Sequence, residues 1–201
     1  MPSIQKEYAE FRRETDRLLA LLRSVSGLTP SHRKVIAEIA LLRLSILLEN
    51  KLKLIVCKLC CGAKYLDGSD PLLSFQQRSM KAAILSMQTF NRAKFRHPIW
   101  NDGKEIRENV CHLIKGTDHC ISTMILYAPF LSEVRYIRNH IAHHNETSRR
   151  NYKNVVKKHY GAFCHAVTCG TLLLSERASR PPLLEKYLIT SRVLMKDFTK
   201  S

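Results

Sequence analysis

Residues 30–60, PSHRKVIAEIALLRLSILLENKLKLIVCKLC, decide the fold class of this 201-residue chain. Thr29 before Pro30 reads as a helix start. The threonine oxygen can accept an orphan backbone N–H, and a proline at the first helical position has no donor to lose. From there Ile36, Ile39, Leu42, Ile46, Leu47, Leu54 and Ile55 spread apolar side chains over most faces. A helix that is apolar nearly all round must be covered by other elements, so this one is expected to be the central core helix. Its most apolar window, Val35 to Leu48, is broken by Glu38 and Arg43. It is too short and too charged to span a bilayer.

On either side the same helical periodicity continues. Ile4, Tyr8, Phe11, Leu18, Leu19, Leu22 and Val25 recur at helical spacing until Gly27 stops the first helix. Asp67-Gly68 and Asp70-Pro71 mark 62–71 as a loop. Helices are expected over about 72–90 and 104–115, with an irregular basic stretch at 91–103 between them. Gly116-Thr117-Asp118 supplies a stop and a new cap for a helix that Pro129 kinks or interrupts and that ends near His143. Two more follow, at about 150–176 and 182–197, separated by Arg180-Pro181-Pro182. No strand alternation, repeat or low-complexity tract interrupts this order. The expected architecture is all-α, one domain over residues 1–201.

Charge bounds the partners. Thirty-three Lys and Arg against 17 Asp and Glu leave a formal net charge of +16. Such an excess repels itself and calls for a polyanion, of which nucleic acid is the best candidate. The N-terminal MPSIQKEYAEFRRETD carries charges of both signs and no apolar core, so it is no secretory signal. Seven cysteines, an odd number, fit reduced thiols and a cytoplasmic location.

The chemistry concentrates in Arg138-Asn139-His140-Ile141-Ala142-His143, followed by His144 and Asn145. Phe130, Leu131, Val134, Ile137 and Ile141 form one apolar stripe, and Arg135, Asn139 and His143 fall on the opposite strip at i, i+4, i+8. Metal-free RNA cleavage by attack of the 2′-hydroxyl on the adjacent phosphorus needs a base, an acid and positive charge for the phosphorane. Histidine serves either proton role because its ordinary pKa is about 6.5. Arginine stays protonated and offers a planar fork to phosphate. An Asn139 amide one turn before His143 can hydrogen-bond the imidazole and fix its tautomer. On an unbroken helix Arg138 and His143 stand about 140° apart. Acting on one phosphate therefore requires the helix to fray at its end, or a second copy to supply the partner group. No carboxylate cluster accompanies the motif, which disfavours a two-metal nuclease, and no cofactor is implied.

Arg138-Asn139-x-x-x-His143, at the end of a helix in a small all-α protein, resembles the R-x4-6-H signature of the HEPN superfamily, whose commonest form has a polar residue directly after the arginine. Leu48-Glu49-Asn50-Lys51-Leu52 resembles part of the long core helix of bacterial HEPN proteins. Tyr187-Leu188-x3-Arg192-Val193-Leu194-x-Lys196-Asp197-Phe198 is similar to the ends of stand-alone members such as the RiboL-PSP-HEPN group. The resemblance implies a HEPN-like helical bundle and a homodimer with a composite active site. Arg138 and His143 of two subunits would act there with Asn139 as the orienting group, leaving 2′,3′-cyclic phosphate and 5′-hydroxyl ends. It also implies a toxin or anti-phage defence effector, held by a cognate antitoxin or another regulatory partner. Members controlled by adenylylation carry a tyrosine two residues after the histidine. Asn145 stands there in this chain, so that mode of control is not expected.

Around the motif, Arg135, Arg138, Arg149, Arg150, Lys153, Lys157 and Lys158 face one acid, Glu146. Arg135, His140, His144, Arg149, Arg150 and Lys153 are candidate RNA contacts, and Tyr152 a candidate for base stacking. A weaker basic run, Arg92, Lys94, Arg96 and His97 near Trp100, is a candidate second wall. Glu49 and Asn50, a polar pair closing an apolar helix, are candidate supporting groups. Cys57-x-x-Cys60-Cys61, with Cys111-His112 and His119-Cys120, invites a metal reading, but only two ligands sit at useful spacing, so core packing is the stronger expectation. A non-catalytic RNA-binding or dimerisation module and a helical DNA-binding regulator are the competing functional classes.

Overall fold

The computed structural model describes residues 2–90, 99–143, 145–162 and 166–200, and over these the chain is all-α. Its helices are α1 (Gln5–Ser24), α2 (Pro30–Cys60), α3 (Met80–Phe90), α4 (Gly103–Val110), α5 (His119–Ala142), α6 (Glu146–Tyr160), α7 (Cys169–Leu174) and α8 (Leu183–Thr199), with a short 3-10 turn at Val25–Gly27. None of the described helices is long and apolar enough to cross a membrane. The chain groups into two compact units. The first holds residues 1–12, 47–132 and 193–201, and the second holds 13–46 and 133–192.

In the first unit the buried side chains come from Ile4 and Phe11 of α1 and from Leu52, Ile55 and Leu59 of α2. Met87, Ile106, Met124, Leu194 and Phe198 join them. Lys51 reaches Glu10 at 2.5 Å, and Lys58 reaches both Glu7 at 2.7 Å and the Ser3 carbonyl at 2.6 Å. These long side chains lay their methylenes over apolar surface and carry the charge to a partner. Asp118 organises the loop after α2. Its carboxylate accepts from the Tyr65 hydroxyl at 2.6 Å, the Leu72 N–H at 2.7 Å and the Cys120 N–H at 2.8 Å.

Residues 72–79 do not join α3, contrary to the expected helix over about 72–90. Leu72 O accepts from Lys115 N at 2.8 Å, Ser74 N donates to Leu113 O at 2.9 Å, and an antiparallel bridge pairs Leu73 with Ile114. Backbone groups spent on a cross-chain pairing cannot also make helical bonds. The same pairing ends α4 at Val110, short of the expected 115. Asp102 begins α4, its Oδ1 accepting from Lys104 N at 2.9 Å and Glu105 N at 3.3 Å.

In the second unit Ala37, Ala40, Leu41 and Leu44 of α2 are buried, as are Val134 and Ile137 of α5, Val155 and Val156 of α6, Leu172 and Leu173 of α7, and Leu184 and Leu188 of α8. Thr29 caps α2 as expected, its Oγ1 accepting from His32 N at 3.5 Å and lying 2.9 Å from His32 Nδ1. Ile39 and Ile46, expected in the core, are more than half exposed, as is Val35. The buried stripe runs 37, 40, 41, 44, and these residues lie off it. The expected single helix over about 150–176 is two helices. Gly161 takes the left-handed conformation at φ +74 that closes α6, a position where a side chain is strained. Thr168 then opens α7, its Oγ1 accepting from Thr171 N at 3.2 Å. α5 is continuous through Pro129.

Candidate functional site

α5 ends at Ala142, between Arg138 and His143, so His143 is the first residue beyond the helix. Its N–H still donates to Asn139 O at 2.8 Å, which completes the last helical turn. Its carbonyl accepts from the Ser148 hydroxyl in the first turn of α6. Asn145 is the N-cap of α6, with Oδ1 accepting from Ser148 N at 2.8 Å. This cap is what a polar residue at 145 does locally. The corner from α5 to α6 is thus held from both ends by backbone capping, and it leaves the His143 side chain exposed.

Asn139 is arranged otherwise than the sequence suggests. Its Oδ1 accepts from Arg138 Nη1 at 3.0 Å, so the amide oxygen serves the guanidinium rather than the imidazole. Arg138 is half-buried, and among the described residues neither Arg138 nor His143 forms an ion pair with a carboxylate. A half-buried guanidinium steadied by a neutral amide, beside an exposed imidazole, keeps its positive charge available to an anion.

The expected RNA contacts divide. Arg149, Arg150, Lys153 and Lys157 are all exposed. At about 100° per residue they fall within one strip roughly 100° wide along α6, and the buried Tyr152, Val155 and Val156 form the stripe beside it. Arg135 lies half-buried with its guanidinium 5.6 Å from the Tyr136 ring. His140 stacks on Tyr152, with ring centroids 4.4 Å apart and planes 10° apart. Tyr152 is only 5% exposed and its hydroxyl donates to Val167 O at 3.0 Å. Its ring is therefore not open to stack a base, contrary to expectation. Aromatic and β-branched residues at 152, 155 and 156 are the spacing of a buried stripe, which the basic surroundings obscured. His144, Arg92, Lys94, Arg96 and His97 lie outside the described residues.

Glu49 and Asn50 belong to the first unit, whereas the motif belongs to the second. Glu49 Oε2 accepts from Asn101 Nδ2 at 3.4 Å, and Asn50 is exposed. Cys57 and Cys60 are fully buried, as packing residues should be. Burial pushes the Cys57 thiol up to about 12 and raises that of Cys60 further. The two histidines expected as companions are engaged elsewhere. His112 Nε2 meets Ser86 Oγ at 3.0 Å and His119 Nε2 meets the Asp197 carbonyl at 2.5 Å. Among the described residues no three His, Cys, Asp or Glu converge as metal ligands would.

Two features escape a linear reading. One is Glu133 on α5, 7% exposed, whose carboxylate accepts from Lys158, His159 and the Tyr187 hydroxyl. Burial alone would raise its pKa, but the bonds from His159, Lys158 and Tyr187 outweigh it and bring the carboxyl down to about 2. The signal was an acid set among Leu131, Val134 and Ile137. The other is a cleft of about 420 Å³ lined by Glu38, His140, Ile141 and residues 166–169. Nothing local in the sequence connects Glu38 with the motif.

The end of α5 offers a guanidinium and an imidazole, flanked by a cationic strip on α6 and a cleft that holds a carboxylate. No protein-family model matches the chain, and no curated protein or solved structure is similar enough to assign it to a family.

Proposed function

We propose that this chain is a metal-independent endoribonuclease of the HEPN type, acting in the cytoplasm as a toxin or defence effector. The observation that carries this reading is the end of α5, where the helix stops between Arg138 and an exposed His143 and Asn139 braces the guanidinium. His143 moves the proton of the 2′-hydroxyl or of the leaving oxygen, and Arg138 neutralises the phosphorane. The α6 strip of Arg149, Arg150, Lys153 and Lys157 supplies sequence-independent phosphate contacts. No bond joins Arg138 to His143 within one chain among the described residues. A homodimer in which the Arg138 of one copy faces the His143 of the other completes the site, and a cognate inhibitor would act by covering it.

The test is incubation of the purified protein with RNA in EDTA, followed by mapping of the 3′ ends. Cleavage that survives the chelator, yields 2′,3′-cyclic phosphate and disappears in His143→Ala is the expected result. Strict dependence on Mg²⁺, or full activity in His143→Ala, overturns it.

The bond between Arg138 and Asn139 favours one second reading, a non-catalytic RNA-binding module in which the pair serves only as a phosphate clamp. That reading expects salt-sensitive RNA binding and no cyclic phosphate product.

A further inference from the structure

The cleft beside the last turn of α5 has a composition that a phosphate site would not have. Its walls are apolar at Ile141 and Val167, and its charged group is the carboxylate of Glu38, in a chain of net charge +16. Glu38 Oε1 accepts from Gly170 N at 2.8 Å. This bond, together with the close approach of α7 to α2, fixes the side chain's position. A Cβ at Gly170 would lie 2.7 Å from the Lys34 carbonyl, so only glycine lets the two backbones meet. Glu38 Oε2 has no protein hydrogen-bond partner among the described residues. The second lone pair of Oε1 remains available as well.

We propose that this cleft is a guanine subsite and that Glu38 is the residue that selects the base. A carboxylate repels a backbone phosphate and accepts only from donors. Guanine alone among the four bases presents two adjacent donors, N1–H and the 2-amino group, which match the two oxygens of a carboxylate. Adenine and cytosine place an acceptor beside their amino group, and uracil flanks its single N–H with carbonyls. The base edge would enter between Ile141 and Val167.

The location fits a nucleotide next to the scissile bond. His140 and Ile141 line the cleft and lie inside the hexapeptide. On the α5 wheel position 140 is about 60° from position 143 and position 141 about 60° from Arg138, so the cleft lies at the helix end between the two motif residues. The volume of about 420 Å³ leaves room for a purine. The site therefore names the substrate class of the proposed ribonuclease, single-stranded RNA cut beside a guanine, and it rests on that reading for its biological sense. Its chemistry can be tested without it.

The experiment measures binding of short fluorescent oligouridines carrying one central G, inosine, A or C to His143→Ala, so that the probe stays intact, and repeats it in His143→Ala/Glu38→Gln. Glutamine keeps a carbonyl for Gly170 N–H and so preserves the local fold, but it replaces an acceptor with an amide donor. The G probe is expected to bind about 10-fold tighter than the A probe, in the range of one good bidentate base contact. Inosine, which lacks the 2-amino group, should fall between, and Glu38→Gln should erase the advantage. Equal binding of all four probes, or a G preference that survives Glu38→Gln, overturns the proposal. The inosine comparison needs no change at Glu38 and stands even if that variant unfolds. Cleavage by the unmodified protein is scored separately. G preference without cleavage sinks the nuclease and keeps the subsite, whereas cleavage blind to guanine sinks the subsite and keeps the nuclease.

Discussion

The middle and the end of α5 both carry charge, yet they are handled in opposite ways. At Glu133 a buried carboxylate is surrounded by donors from Lys158, His159 and Tyr187. At Arg138 and His143, five and ten residues further on, the guanidinium meets a neutral amide and the histidine is bonded through its backbone N–H and carbonyl, its side chain exposed. A polar group whose bonding capacity is filled by its own chain has been committed to the fold. One left open at a surface, at the cost of a charge unbalanced nearby, is available to a ligand. The contrast separates residues that hold the structure from residues that can act, and it is open to attack at both ends.

The largest effect expected is on activity at the open end. His143→Ala should lower RNA cleavage by about 100- to 10,000-fold, the usual contribution of a general acid–base group. Because the side chain is exposed, the midpoint of urea unfolding should move by less than about 0.5 kcal/mol equivalent. A large stability loss with modest loss of cleavage would erase the distinction between the two regions.

At the filled end, Glu133→Ala takes their shared acceptor from the half-buried His159 and the buried Tyr187 hydroxyl. It should cost about 3 kcal/mol in chemical denaturation, the scale for removing one member of a buried charge pair. Glu133→Gln keeps an acceptor and should cost less. A cost within about 0.5 kcal/mol for Glu133→Ala would mean that the cluster does not hold this part of the fold.

Acid sharpens the same point. The folded-state pKa of Glu133, about 2, lies below its ordinary value of 4.5. Its contribution is therefore fully present above pH 4.5 and fades as the pH falls through about 2. At about 1.4 kcal/mol per pKa unit, stability measured from pH 5 down to pH 2 should drop by roughly 3 kcal/mol through this group. Glu133→Gln should flatten that part of the profile. An unchanged profile in the variant would show that some other carboxyl governs acid unfolding.

The smallest effect belongs to the strip on α6. Arg149→Ala and Arg150→Ala each remove one exposed charge. Each should reduce the slope of log affinity against log salt by about 0.7 for single-stranded RNA, with little effect on folding. Slopes that do not change would take the strip out of the RNA path.

How much of this was legible in the sequence follows from the range over which each signal acts. The all-α class, the start of α2 at Thr29-Pro30 and the end of α5 near His143 are set by near neighbours and could be read directly. The beginning of α3 could not, because Leu72, Leu73 and Phe75 pair with a segment some 40 residues away and only then cease to be helical candidates. Gly161 is a local stop signal inside 150–176, a stretch whose apolar periodicity alone points to one continuous helix. Ile39 and Ile46 show a different limit: apolar type alone does not say which stripe of an all-round apolar helix is covered. At the site the hexapeptide was visible, since its spacing is local. The partner of Asn139 was not, because Arg138 and His143 are both within reach of that amide and the choice depends on where the helix stops. Glu38 was invisible as a site residue, since only folding brings it to His140.

The two compact units are not consecutive along the chain. α1, α2, α5 and α8 each begin in one unit and finish in the other. Neither unit therefore corresponds to an uninterrupted reading frame, and no single truncation point removes one while sparing the other. Dissection of this protein into expressible fragments has to cut through helices. Loss-of-function mapping is better served by point substitutions than by deletions.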